Sequence, residues 1–306
     1  MLSVILPSYN EEKMIHKAAD VIHNILKGEN IIHELIFVDD GSNDNTWRQI
    51  VTKSESNSAV RGVHFSRNFG KEAAIYAGLS YAKGDCAVVI DCDLQHPPQK
   101  IIEMYRLWQD GYEVVEAVKS DRGEESAIHA LSAKAFYALI SKATKIDMSH
   151  ASDFKLLDRK AIDALLNIKE RDAFFRALSS WIGFKSTQVE FAVQDRTEGT
   201  SKWSTKSLIK YAVSNVTSFS TAPMQIVTAL GVIMFIISII FGLISLVQKI
   251  TGQALEGFTT VIILLLLSSS LIMISLGVIG YYLAKMYEEI KGRPKYIVSQ
   301  TCGKDG

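Results

Sequence analysis

Val88-Val89-Ile90-Asp91-Cys92-Asp93 is the stretch on which the reading of this chain turns. With Ala87 it gives four apolar residues in a row and then two acids, the pattern of a strand buried on both faces that runs out at a polar rim. Residues two apart on a strand share a side, so Asp91 and Asp93 are expected to point the same way. Two like charges so placed are costly unless a cation joins them. A hard divalent ion, Mg2+ or Mn2+, suits carboxylate oxygens and usually also holds substrate phosphates. Gln95 would add a carbonyl oxygen. An isolated Asp-x-Asp fits a solvated loop or a helix cap as well; its place behind a buried run favours a site. Cys92 reads as a packed small side chain, with thiolate ligation as the alternative.

Working outward, two more apolar runs end in the same way. Phe37-Val38 leads into Asp39-Asp40-Gly41-Ser42, and Val4-Ile5-Leu6 into Pro7-Ser8-Tyr9-Asn10-Glu11. Capping of a following helix accounts for such acids one at a time; polar recognition of a base or ribose is the functional reading. Further short apolar runs at 63–65 and 114–115 alternate with helical patterns over 11–26, 45–53, 71–82 and 98–109. Strand and helix in alternation predict an α/β fold with a mostly parallel sheet covered on both faces. Ligands of such sheets sit beyond the carboxyl ends of the strands, where the acids lie.

The chain has 306 residues, 33 of them basic and 33 acidic. Zero net charge speaks against a general nucleic-acid binder. Three cysteines, Cys86, Cys92 and Cys302, make neither a disulfide framework nor a zinc pattern, and a reducing compartment is expected. The first residues lack a basic n-region and a long apolar segment, so no cleaved signal is expected.

Residues 223–247 and 258–284 are charge-free runs of 25 and 27 residues. Each exceeds the roughly 20 residues that cross a bilayer as a helix. A pair of buried core helices is the alternative, disfavoured by length and by apolar character on every face. The expected organisation is a catalytic domain over 1–204, a juxtamembrane interfacial segment or linker over 205–222, a two-helix hairpin over 223–284, and a tail over 285–306. Arg196, Lys202, Lys206 and Lys210 precede the hairpin, and Lys285, Lys291, Arg293 and Lys295 follow it. Positive flanks stay inside, so the catalytic domain and both termini are expected in the cytoplasm. Gly231, Gly242, Gly277 and Gly280 allow close helix packing.

Taken together, Pro7-Ser8-Tyr9-Asn10-Glu11, Val38-Asp39-Asp40-Gly41-Ser42, Asp91-Cys92-Asp93-Leu94-Gln95-His96-Pro97 and Gln194-Asp195-Arg196-x-x-Gly199-x-Ser201-Lys202 resemble glycosyltransferase family 2. The resemblance is to its polyprenyl-phosphate members, dolichol-phosphate mannose synthase and the bactoprenol glucosyltransferases, and it runs through nearly the whole chain. It implies a glycosyltransferase A-type nucleotide-binding domain. By motif, Pro7, Tyr9, Glu11, Asp39, Asp40 and Asp91 would hold the nucleotide-sugar, and Asp91, Asp93 and Gln95 the metal and diphosphate. Asp153 would be the catalytic acidic residue, with Asp93 beside it in the reaction. Arg122, Arg196, Ser201 and Lys202 would grip the acceptor phosphate or the diphosphate. Where relatives often carry basic residues after that first arginine, this chain has His129 and Ala130.

The implied reaction is inverting transfer of one sugar from a nucleotide-sugar to a polyprenyl phosphate at the inner membrane of a bacterium or its phage, in a homo-oligomer. By analogy to bacterial members the donor is UDP-glucose or UDP-N-acetylglucosamine, the acceptor undecaprenyl phosphate, and the product a precursor of cell-envelope polysaccharide. Asp153 remains either a general base or an orienting group. A processive polysaccharide synthase of the same superfamily would carry a Gln-x-x-Arg-Trp signature and more spans, both absent here. A noncatalytic nucleotide-sugar sensor is the third reading.

Overall fold

The computed structural model describes residues 1–119, 152–168, 170, 174–191, 222–251 and 257–304. It divides into two compact units, Met1–Thr205 with Pro294–Gly306, and Lys206–Arg293.

The first unit is built on an eight-stranded sheet. Its strands are β1 (Leu2–Ser8), β2 (His33–Asp39), β3 (Val60–Phe65), β4 (Cys86–Val89), β5 (Val114–Lys119), β6 (Lys155–Asp158), β7 (Ser186–Phe191) and β8 (Val298–Cys302), in the spatial order β7-β5-β6-β4-β1-β2-β3-β8. β1 pairs parallel with both β2 and β4, and β2 with β3. The order reverses at β1, and open α/β sheets place their ligand crevice at that switch. Leu2, Val4, Ile5 and Leu6 have no exposure at all, as a central strand covered on both faces requires.

The covering helices follow from apolar spacing. α1 (Ile15–Gly28) buries Ile15, Ala18, Ala19, Ile22 and Leu26, one stripe of a 3.6-residue period. α2 (Thr46–Ser56) and α4 (Lys100–Gln109) bury narrower stripes. α3 (Lys71–Tyr81) is different, because Ala73 through Leu79 are all buried. It lies so close on β1 that a Cβ at Gly78 would come 2.2 Å from Ile5 Cγ2. Small residues around α3 therefore seat it deep in the sheet, and its first residues come out at the sheet's rim. α5 (Arg159–Asn167), capped by the Asp158 carboxylate on Lys160 N, and α6 (Phe175–Trp181) complete the described helices of this unit.

β6 runs antiparallel to both β4 and β5, and β8 antiparallel to β3. β8 comes from the stretch that the sequence reading leaves as a plain tail. It is fastened by pairing to β3, by Trp47 Nε1 donating to Gln300 Oε1 at 2.7 Å, and by the Tyr296 ring stacked on Phe65 at 5.1 Å.

The second unit holds α7 (Ala222–Ile250) and α8 (Phe258–Ile290). Both are long and apolar enough to cross a membrane, with mean hydropathy 2.8 over Val227–Ile244 and 1.7 over Leu267–Ile290. Large apolar side chains such as Phe235, Leu265 and Met273 face outward on them.

Candidate active site

The parallel register brings three strand ends together. Ser8 at the end of β1 stands opposite Asp39 at the end of β2, and Ile5 opposite Val89 at the end of β4. The loops that follow are tied to one another. Asn10 N donates to Ser42 Oγ at 2.9 Å, Glu11 N to Thr46 Oγ1 at 2.8 Å, and Asn43 N to the Asn10 amide oxygen at 3.0 Å. Pro7 and Glu11 are half-buried there, and Tyr9 is exposed at the rim.

Asp39 and Asp40 are spent inside the protein. Asp39 is fully buried; it accepts from Ser42 N at 3.1 Å, and its other oxygen meets His64 Nδ1 at 2.7 Å. Asp40 accepts from Phe69 N at 2.6 Å and from Gly70 N at 2.9 Å, and burial raises its pKa against those two donors. Asp40 thus pins the turn from which α3 starts. Gly41 belongs to the same device: at φ +64°, its added Cβ would lie 2.3 Å from the Arg67 carbonyl carbon.

β4 ends at Val89, so Asp91 and Asp93 are not strand residues, and strand alternation does not place them. The chain turns here, with Leu94 at φ +58° and Gln95 N donating to Asp93 Oδ1 at 3.1 Å. Burial nonetheless alternates: Ile90 and Cys92 go into the core while Asp91 and Asp93 stay half-exposed at the rim. Cys92 packs into the hydrophobic core, and burial pushes its thiol well above its ordinary pKa.

The antiparallel register of β6 on β4, Val89 opposite Lys155, carries the residues before β6 toward Asp91. Asp153 is there, 6% exposed. Lys71, the first residue of α3, bridges the two acids, with its Nζ 2.7 Å from Asp91 Oδ1 and 2.8 Å from Asp153 Oδ2. Arg176 on α6 grips Asp153 with a fork, Nε to Oδ1 at 2.6 Å and Nη2 to Oδ2 at 2.8 Å. Burial alone would raise the Asp153 pKa, but Arg176 and Lys71 outweigh it and hold the carboxyl far below the usual range. Burial likewise opposes the charge of Lys71; Asp91 and Asp153 reverse that and raise its pKa. Both groups stay ionised throughout the physiological range.

A buttress of charged groups stands behind Asp153. Lys155, with no exposed surface, donates to Ser179 Oγ at 2.8 Å and lies 3.1 Å from Glu116 Oε1, and burial lowers its pKa. Glu116 Oε1 also accepts from Ser152 N at 2.9 Å. Glu72 Oε2 accepts from Phe175 N at 2.9 Å and so joins α3 to α6; burial, with Asp153 nearby, pushes its carboxyl up to about 7.

Among the described residues, no group of three or more His, Cys, Asp and Glu side chains could cage a metal ion. The donor chemistry still fits the open mode of Mg2+ or Mn2+, in which one or two carboxylates share the ion with substrate phosphates. Asp91 and Asp93 are the candidates, each half-exposed at the rim. The described contact of Gln95 is made through its backbone N–H. Arg122, Arg196, Ser201 and Lys202, as well as the segment 205–221, lie outside the described residues.

Residues 3–166 match the model of glycosyl transferase family 2. The chain belongs to that family. It is 38% identical to an uncharacterized glycosyltransferase, YkcC, of Bacillus subtilis, over 98% of this chain and 94% of the relative. It is 32% identical to the bactoprenol glucosyl transferase of Shigella phage SfII, over 98% of each. Both alignments run through α7 and α8. The protein is thus a family 2 glycosyltransferase, with the α/β architecture of the A type. Lys71, Arg176, Glu72 and Lys155 are the site residues that sequence reasoning missed. A signal was present for one of them: a lysine directly behind a glycine and ahead of an almost wholly apolar helix is placed at a sheet rim.

Proposed function

We propose that this protein transfers a single sugar, with inversion, from UDP-glucose or UDP-N-acetylglucosamine to undecaprenyl phosphate at the cytoplasmic face of the membrane. The observation that carries the reading is full-length similarity to a bactoprenol glucosyl transferase, apolar helices included. A polyprenyl chain leaves a bilayer at about 0.8 kcal/mol per CH2, so its phosphate has to be met at the surface. In this reading α7 and α8 anchor the chain, the segment 205–222 lies at the headgroups, and the enzyme works as a homo-oligomer.

An acceptor phosphate oxygen attacks the anomeric carbon as the bond to the nucleoside diphosphate breaks. Pro7, Tyr9, Glu11 and the loop carrying Asp39 and Asp40 hold the nucleotide, with Asp39 and Asp40 shaping that loop from within. A divalent ion on Asp91 and Asp93 would supply Lewis-acid neutralisation of charge on the leaving diphosphate. Arg122, Arg196, Ser201 and Lys202 take the phosphate groups. Asp153 is the orienting group rather than the base. Its charge is already shared by Arg176 and Lys71, and the phosphate nucleophile is anionic at neutral pH without its help.

A panel of nucleotide-sugars, incubated with the full-length protein, Mg2+ or Mn2+ and undecaprenyl phosphate, tests this by mass detection of the lipid. A single-hexose lipid phosphate from one donor is expected. A polymeric product would establish a processive synthase, and donor binding without turnover a sensor; either defeats the proposal.

A further inference from the structure

Lys71 already occupies one oxygen of Asp91, a carboxylate proposed above as a metal ligand. Its Nζ is 2.7 Å from Asp91 Oδ1, while Asp153 holds it from the other side at 2.8 Å. Its backbone is held on both sides: Asp40 accepts from Phe69 N and Gly70 N before it, and the carboxylate of Glu72, the next residue, accepts from Phe175 N. Its side chain is not fixed to the same degree: it remains 42% exposed, on a flexible four-carbon stem.

We infer that Lys71 and a divalent cation compete for Asp91, and that the donor's diphosphate relieves the competition by taking the displaced ammonium. The inference rests on the reading that Asp91 and Asp93 hold the ion. The oxygen that accepts the ammonium at hydrogen-bond distance has no room for an inner-sphere cation along the same approach. Two cations on one carboxylate also repel each other. A metal ion that takes this oxygen must therefore break the Lys71–Asp91 pair. Metal arriving with a nucleoside diphosphate brings anionic oxygens to which Lys71 can turn while Asp153 steadies it. The protein would in this way bind metal poorly until donor is present, with Lys71 as a positioning residue for the diphosphate.

The test is Mn2+ binding, followed by the electron paramagnetic resonance signal of the free ion, on full-length protein with and without UDP. Wild type should bind Mn2+ weakly alone and more tightly with UDP. Lys71→Met should bind Mn2+ alone about tenfold more tightly, the scale of one charge-assisted hydrogen bond. Its response to UDP should shrink, and Lys71→Arg should restore the wild-type pattern. Equal or weaker Mn2+ binding by Lys71→Met, with wild type binding through Asp91, overturns the competition alone. No Mn2+ binding by wild type under either condition, with Asp91→Asn no different, overturns the metal reading itself and the competition with it. If Lys71→Met does not fold, reductive methylation of the wild type asks the same question. Mn2+ alone should raise labelling of Lys71 and Mn2+ with UDP should suppress it; unchanged labelling overturns the inference.

Discussion

Replacing Arg176 by Met removes both prongs of the fork on Asp153 while keeping most of the side-chain volume. Asp153 is almost wholly buried, so among the described residues its charge is left with Lys71 as the cation in direct contact and Lys155 further off. Breaking a fully buried pair costs about 3–5 kcal/mol. Arg176 is 29% exposed and Lys71 stays in place, so the expected loss is about 2 kcal/mol. In a unit of this size that corresponds to a fall in Tm of roughly 4–8 °C. The effect carries a pH signature. The folded pKa of Asp153 is depressed, so the stability it contributes is present above the ordinary carboxylate pKa of about 3.9 and is lost as the pH falls through that value toward the folded one. The difference between wild type and Arg176→Met should be full at pH 7 and should narrow below about pH 4. Thermal unfolding in detergent reads it, with Asp153→Asn as the second arm of a double-mutant cycle. With the charge gone, Arg176→Met should cost little further. Additive losses, or a pH-independent difference, would refute the argument that the fork exists to hold a buried charge.

Other outcomes are expected. Asp93→Asn should lower transfer at least about a hundredfold, since Lewis-acid stabilisation is worth several kcal/mol, and leave Tm unchanged; retained turnover would remove Asp93 from the metal assignment. Glu72 holds its proton more tightly folded than unfolded, so wild type should lose stability relative to Glu72→Gln as pH rises from about 4.5 through about 7. The final difference should be at most about 3 kcal/mol, and a Tm difference flat across that window would count against the buried-carboxylate account. Gly41→Ala should cost about 2–4 kcal/mol through its left-handed backbone and the clash with Arg67, read as a lower Tm; a neutral result would mean that the 67–70 turn yields easily.

The parallel half of the sheet was legible because its strands are local signals: apolar runs such as Leu35-Ile36-Phe37-Val38 ending in acids and glycine. Helix ends were less so. The pattern over 11–26 yields a helix that begins only at Ile15, because Glu11 and Glu12 are engaged with the loop after β2. β6 was unreadable: four residues long, with a lysine at a fully buried position made tolerable by Glu116, Ser179, Ser180 and the Arg176 carbonyl. β8 carries little apolar character and follows a long greasy helix. In the site, Asp39, Asp40, Asp91 and Asp93 could be read because they end or follow apolar runs, whereas Asp153, ahead of β6, was named only by the family resemblance. Their cationic partners could not, because Lys71 and Arg176 reach Asp153 through an antiparallel register and a helix packing that no short window of sequence encodes.

The origin of β8 sets the order in which this protein can mature. Its partner β3 is made within the first 65 residues, yet β8 leaves the ribosome only after both apolar helices. Until then the edge of β3 stands open, an invitation to foreign strands. Synthesis of the greasy segment thus becomes a checkpoint: a nascent chain stalled before residue 298, or a fragment cut off ahead of the hairpin, has an unsealed flank at which aggregation is expected to begin.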